Sequence, residues 1–295
     1  MTHSHDALSG SMSHQNPITR AKREGGQEHI VDSFLSKLEI KHGPIGLLGR
    51  YFLLAERLLR DRGLSIEITG IEQASSTHVE NKMSWNAFPP MLDARLSHID
   101  PDKSYCFLGR DSDGQVMFAQ AGRIFELGER SFADIISDQS FFYGPAPVVS
   151  ENAPTCETWS TKAREITGTI VYSGALWVHP DARGGRLASV LTRLSRSYAL
   201  AKWGTRFTVA FVSEDMAKTP LVGIYGYKNL DDGAAIYGLF DEPIMFKLMW
   251  MSDDELIADL ASFYAERSAQ IDSANVGRSA KDVGLSALPD RDQRA

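Results

Sequence analysis

One continuous stretch, residues 170–201, restricts the fold more than any other part of this chain. Residues 170–178 are rich in β-branched and aromatic side chains and read as a strand. Pro180 and Asp181 stop it. Arg183, Gly184, Gly185 and Arg186 then make a short basic turn. Beyond the turn, Leu187, Val190, Leu191, Leu194, Tyr198 and Ala201 recur at spacings of three and four, which is one apolar face of a helix. A helix N-terminus exposes unpaired N–H groups and the positive end of a dipole. With two glycines and two arginines placed there, the turn can cradle a phosphate.

The rest of the chain predicts a mixed α/β architecture around that stretch. Residues 1–28 are polar and read as a disordered tail; His3, His5 and His14 lie in it and are expected to be solvated rather than metal-bound. Residues 29–63 read as a helical extension. It holds a short pattern (Ile30, Val31, Phe34, Leu35, Leu38) and a longer one (Ile45, Leu48, Phe52, Ala55, Leu59) between Pro44 and Gly63. Its apolar face implies docking on the following domain, a dimer contact or a membrane-surface contact. A first strand is predicted over 65–71, helices over 75–85 and 91–99, and a hairpin of 105–109 with 115–125 joined by Asp111 to Gly114. A helix near 132–136 and a long irregular connection rich in proline follow. Gly174 inside the central strand predicts a bulge. After the motif helix come a strand at 207–212, a short helix at 215–225, and strands at 234–240 and 244–251. Ser252 and Glu255 form a capping box for a helix ending near Arg267. These elements define a domain over 64–268, and residues 269–295 read as a second disordered tail.

The formal net charge of −7 argues against a nucleic-acid partner. Cys106 and Cys156 lack metal-ligand spacing and read as thiols in a reducing, cytoplasmic compartment. The first residues carry no apolar secretory core, and no apolar run reaches the length of a membrane span.

The stretch around the turn resembles the coenzyme A-binding motif of the GNAT superfamily of acyltransferases. That pattern is a strand ending in Val-x-Pro, then Arg/Gln-x-x-Gly-x-Gly/Ala opening a helix. Val178, Pro180, Arg183 and Ala188 fall on it. Arg186 stands at the position that is usually glycine, and Gly185 sits one residue early. The resemblance covers residues 64–251 and implies a GNAT-like fold and an acyl-CoA co-substrate, with acetyl-CoA the first choice. It implies that Arg183, Gly184, Gly185, Arg186, Leu187 and Ala188 hold the pyrophosphate. Leu176, Trp177 and Val178 would pair with the pantetheine arm. Residues 221–227 resemble a second landmark, Leu-Tyr-x-x-x-Gly-Phe, with Gly226 and Tyr227 on the last pair. Val222 takes the place of the family's proton-donating tyrosine. Asp215 stands near a position where the family often has an asparagine contacting the cofactor.

Acyl transfer from a thioester to an amine needs a polarised carbonyl, a base for the amine and an acid for the thiolate. A backbone N–H at the Gly174 bulge can polarise the carbonyl. Glu157, Glu165 and His179 flank the central strand as base candidates, and Glu165 is assigned that role. Tyr225, one helical turn from Val222, is assigned the acid's role. Tyr172 and Ser173 point to opposite faces of the strand, so one of them faces a pocket. Trp85, Phe88 and Tyr143 are candidates to line an acceptor site. The reading is therefore an N-acyltransferase acting by direct attack on a small-molecule or peptide amine, without a metal, and a homodimer is allowed. The alternatives are a non-catalytic CoA-binding module and an acyltransferase for long acyl chains.

Overall fold

The computed structural model describes residues 33–85, 88–144, 155–184, 186–238 and 241–284, with side chains as far as residue 273. The tail expected over 1–28 lies outside the described residues, as do Ile30, Val31, Gly185 and 285–295. The fold is mixed α/β. Among the described residues eight strands form one sheet: β1 (Ser65–Thr69), β2 (Ser104–Arg110), β3 (Val116–Glu126), β4 (Thr155–Thr158), β5 (Thr169–Val178), β6 (Phe207–Ser213), β7 (Asn229–Tyr237) and β8 (Ile244–Ser252). Their order is β1-β2-β3-β5-β6-β8-β7-β4. Neighbours run antiparallel except β5 and β6, which are parallel.

Alternation along the strands feeds two cores. Val171 of β5 faces one side, with Leu191, Leu194, Tyr105 and Leu260. Tyr172 faces the other, with Ile71, Phe132, Phe141 and Val209. The first side is covered by α1 (Ile45–Arg60), α6 (Leu187–Trp203) and α9 (Asp253–Gly284). The second is covered by α2 (Ile71–Glu80), α3 (Phe132–Ser137) and α4 (Ser140–Tyr143), with α5 (Thr161–Glu165) beside α3. Leu48, Tyr51, Phe52, Ala55 and Leu59 of α1 lie in the same core as α6 and β5, together with Phe34. The Tyr51 hydroxyl donates to the Val190 carbonyl at 2.9 Å, which ties α1 to α6. So residues 34–60 are part of the main core rather than an appendage to it.

Helix α6 is buried well beyond its apolar stripe. Ser189, Thr192, Arg193, Ser195, Arg196 and Ser197 are also inside, because α1, α9 and the sheet enclose it. The predicted capping box at the start of α9 is formed: the Glu255 N–H donates to Ser252 Oγ at 3.2 Å, and the Ser252 N–H donates to Glu255 Oε2 at 2.9 Å.

Several boundaries differ from the sequence expectation. Among the described residues, the first helical pattern is a single 3-10 turn, Phe34–Lys37. The second helix begins at Ile71, since Ile71 and Ala74 seat it on the sheet. The helix expected over 91–99 is a 3-10 turn, Pro90–Leu92, followed by turns and irregular chain. There the Asp93 carboxylate accepts from the Arg95 backbone N–H and guanidinium, a local alternative to helical bonding. The helix expected over 215–225 is two short pieces, α7 (Glu214–Ala217) and α8 (Leu221–Ile224), with Pro220 between them. Strand β4 and α5 arise inside the stretch expected to be irregular. Helix α9 runs to Gly284, so residues 269–284 are helical rather than a tail without structure. Pairs such as Arg267 with Gln270 and Gln270 with Glu266 support it where no apolar period does.

Candidate functional site

The parallel pair at the centre of the sheet separates part-way along. Register between β5 and β6 holds for Ile170–Phe207, Val171–Thr208 and Tyr172–Val209, and stops there. Beyond that point β6 stays with β8 and β5 stays with β3. In the opening wedge β5 also bulges: Gly174 faces Ala121 and Trp177 faces Ala119, so Ala175 and Leu176 together stand opposite Gln120. Ala175 takes φ 50°, a left-handed conformation that a non-glycine residue adopts only under constraint. A Cβ on Gly174 would lie 2.7 Å from the Tyr172 ring, which explains the glycine. The bulge expected at Gly174 is thus present, with its strained residue one place on.

A cleft of about 640 Å³ fills the wedge. Residues 173–178 form one side, Ala210, Phe211 and Val212 of β6 the other, and Trp85, Tyr225 and Tyr227 close its ends. It adjoins a hollow of about 730 Å³ at the start of α6, lined by Arg183, Gly184, Arg186, Leu187 and Ala188. Val178, Arg183, Ala188 and Leu221 belong to both.

The turn is built as the sequence suggests, with one change of role. Gly184 takes φ 89° and Arg186 φ 67°, and α6 starts with no side-chain cap on its N–H groups. Arg186 and Gly184 are exposed, Leu187 is buried and Ala188 is half-buried. Arg183 donates its Nε–H to the Val178 carbonyl at 3.1 Å and an Nη to the Ser84 carbonyl at 3.1 Å. Its guanidinium therefore fastens the end of β5 to the Ser84–Trp85 corner, besides lining the cavity. Trp177 stacks on Trp85, with ring centroids 5.3 Å apart and planes 10° apart, and its indole N–H donates to Ser84 Oγ at 3.2 Å.

The cleft floor is polar. Gln120, 1% exposed, donates its amide to the Gly174 carbonyl at 2.8 Å and to Ser173 Oγ at 3.3 Å. A carbonyl can only accept, so these bonds fix the amide's orientation. Its Oε1 is buried and makes no hydrogen bond. Ser173 Oγ continues to Ser195 Oγ at 2.9 Å, and Ser195 Oγ to the Tyr105 hydroxyl at 2.8 Å. Of the pair on β5, Ser173 faces the cleft and Tyr172 the aromatic core.

Two buried arginines of α6 hold the segment that carries Tyr225. Arg193 makes a bidentate pair with Asp259 of α9 at 2.8 and 2.9 Å, and donates to the Ile224 carbonyl at 3.2 Å. Arg196, 0% exposed, donates to the Tyr225 carbonyl at 2.6 Å and stands 3.7 Å from Asp259. Thr192 Oγ donates to the same carbonyl at 3.2 Å. Gly226, at φ 83°, passes so close that a Cβ would lie 2.4 Å from Arg193. Burial raises the pKa of the Tyr225 phenol above its ordinary value. Burial does the same to Tyr227, against the opposing pull of Arg196, and the Tyr227 hydroxyl makes no hydrogen bond meeting normal geometry. The Arg196 guanidinium lies over the Tyr227 ring at 4.4 Å, a cation–π contact.

The base assigned from sequence is not in the cleft. Glu165 ends α5, exposed, and its carboxylate pairs with Lys162 at 3.0 Å. Its place just before the central strand does not bring it to the cleft, because the wedge opens only beyond Tyr172. Glu157 is exposed on the edge strand β4. His179 belongs to the turn, where its Nδ1 accepts from the Asp181 N–H at 3.3 Å. Trp85 lines the cleft, Phe88 packs on Trp85 at 5.6 Å, and Tyr143 sits beside Phe142, away from the cleft lining. Val222 packs on the core with Tyr225, and Asp215 is exposed and paired with Lys218 at 3.2 Å. Sequence reasoning missed Gln120 and the Arg193–Asp259–Arg196 group. The signal for the latter was available: two arginines three apart on a helix otherwise dominated by small and apolar residues. Among the described residues no group of three or more His, Cys, Asp or Glu is placed to hold a metal.

No protein-family model matches the chain, and no curated protein matches it. Solved structures do. Arabidopsis thaliana NAA60 in complex with acetyl-CoA is 11% identical, with TM-score 0.40, covering 65% of this chain and 99% of that one. The Salmonella typhimurium putative acetyltransferase yncA, with its cofactor acetyl-CoA, is 14% identical, with TM-score 0.36, covering 64% and 94%. A variant of the Vibrio cholerae spermidine N-acetyltransferase SpeG is 10% identical, with TM-score 0.38, covering 66% and 96%.

Proposed function

We propose that this protein is an acyl-CoA-dependent N-acyltransferase, with acetyl-CoA the first candidate donor and an amine the acceptor. The observation that carries the reading is the wedge between the parallel strands β5 and β6, continuous with an uncapped helix N-terminus at a glycine- and arginine-containing turn. The residues present suit such a donor. The first N–H groups of α6 and the Arg186 guanidinium can take a pyrophosphate. The β5 segment 173–178, unpaired on its β6 side, can take an extended amide arm as an added strand. The thioester would supply the activated acyl group at the wedge.

The chain's own groups then have distinct tasks. The amine nitrogen attacks the thioester carbonyl, whose oxygen gains charge as the carbon–nitrogen bond forms and loses it as the carbonyl re-forms and the carbon–sulfur bond breaks, releasing the thiolate. Backbone N–H groups at the Ala175–Leu176 bulge are the candidates to stabilise that charge, since β5 has no register partner in β6 there. Tyr225, protonated and lining the cleft, gives its proton to the departing thiolate. The proton of the amine leaves to solvent, since Glu165 lies elsewhere. Such a protein would work in the cytoplasm, where acyl-CoA is available and thiols stay reduced.

A non-catalytic CoA-binding role is the second reading, favoured by the position of Glu165 outside the cleft and by Val222 in place of the usual tyrosine. Calorimetric titration with acetyl-CoA tests what both share. Arg183→Glu should weaken binding more than tenfold, ~1.4 kcal/mol or above. It removes a cation from the cavity wall and releases the Ser84–Trp85 corner. Unchanged affinity would remove the phosphate-cradle assignment. Acyl transfer to a panel of amines then separates enzyme from binding module.

A further inference from the structure

A third hollow, about 140 Å³, opens on the other side of the turn. Arg62, just past the end of α1, forms one wall with Leu58 and Leu59; Arg186 and Leu187 form the second; Arg267 of α9 forms the third. Arg186, Leu187 and Arg267 also line the larger hollow beside the turn, so the two spaces share a wall. Three arginines from three segments remote in sequence thus line one small space. The N-terminal end of α6 adds its own partial positive charge there.

Collecting like charges is unfavourable in the free protein. Burial, followed by the nearby Arg186 and Arg193, pulls the Arg267 guanidinium below its ordinary pKa, with Glu266 opposing. The Arg267 guanidinium is held over the Phe263 ring at 5.1 Å and bonded to Gln270 at 2.7 Å, so it is ordered rather than trailing in solvent. An arrangement of this kind is relieved by a compact anion with more than one charge. A phosphate monoester carries about −1.5 to −2 near neutral pH and offers three acceptor oxygens, which suits converging guanidinium groups.

We infer that Arg62, Arg186 and Arg267 form a subsite for the 3′-phosphate monoester of the donor's nucleotide end, so that the protein selects the 3′-phosphorylated donor over its dephospho form. The inference rests on the acyl-CoA reading above. The turn takes the pyrophosphate on one side of Arg186, and the monoester lies on the other. Selection comes from α1 and α9, outside the strand–turn–helix stretch itself.

The test is calorimetric titration of the full chain with acetyl-CoA and with acetyl-3′-dephospho-CoA. The dephospho ligand should bind at least tenfold more weakly. In the Arg62→Gln/Arg267→Gln double variant, acetyl-CoA should fall to the level of the dephospho ligand, and the dephospho ligand should be nearly unaffected. Arg186 is left intact because the turn also uses it. Inorganic phosphate at millimolar concentration should compete with acetyl-CoA and not with the dephospho form; equal competition with both would move the anion to the turn and overturn the subsite. Equal tight binding of both ligands by the unaltered protein, or a preference that survives the double variant, would overturn it while leaving the donor reading in place. Binding of neither ligand would remove both.

Discussion

The Tyr225 side chain lines the cleft, and burial favours its protonated form. A phenol in that state can give a proton across the whole neutral range, although it is a weaker acid than a free one. Tyr225→Phe should lower kcat by ~10²-fold or more, the lower end of what general acid catalysis contributes, with acetyl-CoA affinity nearly intact. The sign of the pH effect follows from the raised pKa: the donor stays protonated past its ordinary value of about 10, so loss of rate from its ionisation begins only above that pH. A wild-type kcat in the Phe variant across the alkaline limb would leave water as the acid. At this scale the sequence was informative where function is local. Arg183, Gly184, Arg186, Leu187 and Ala188 line the hollow because one turn positions them all. Leu176, Trp177 and Val178 follow for the same reason, being on one strand. Glu165 lies outside the cleft lining and Gln120 within it, because their positions depend on how separate segments meet. Gln120 reads as one polar residue between alanines; only the register shift opposite Ala175 turns it into the cleft floor.

Between elements, one carboxylate does much of the joining. Asp259 of α9 neutralises Arg193 and faces Arg196, and those two arginines fasten the carbonyls of Ile224 and Tyr225 at the end of α8. Removing one partner of such a group strands buried charge. Asp259→Ala should therefore lower the free energy of unfolding by roughly 3–5 kcal/mol. Adding Arg193→Ala should cost less than the sum of the two single changes, since it removes a charge the first change left unpaired. Denaturant titrations of the three variants measure this, and strict additivity would show that the pair is not coupled. The regular elements with strong period, α1, α6 and β5, were legible. Strand β4 and the pieces α5, α7 and α8 were not. They are four or five residues long, too short to show a period; β4 forms by pairing with β7, α5 and α7 each start at a capping serine, and α8 starts at Pro220 with no side-chain cap.

For the molecule as a whole, α1 and the two cores make one cooperative test available. Cys106 and Cys156 are both buried, and burial pushes each thiol up to about 12. The native protein should label slowly with a thiol reagent at pH 7, and both thiols should react together once denaturant opens the sheet. Fast labelling of Cys106 in the native state would contradict its place between β1 and β3. The layered α/β arrangement was readable from element order alone, whereas the strand order was not, because β7 and β8 reverse their places and β4 joins at the far edge. The parting of β5 from β6 has a thermodynamic meaning too. Under the donor reading proposed above, a ligand that completes the sheet at its parted centre is bound only by the folded chain. Mass action then makes the melting temperature a gauge of ligand concentration: a hundredfold excess over Kd adds about 2.7 kcal/mol. The chain's resistance to heat thereby becomes a property of its surroundings as well as of its sequence.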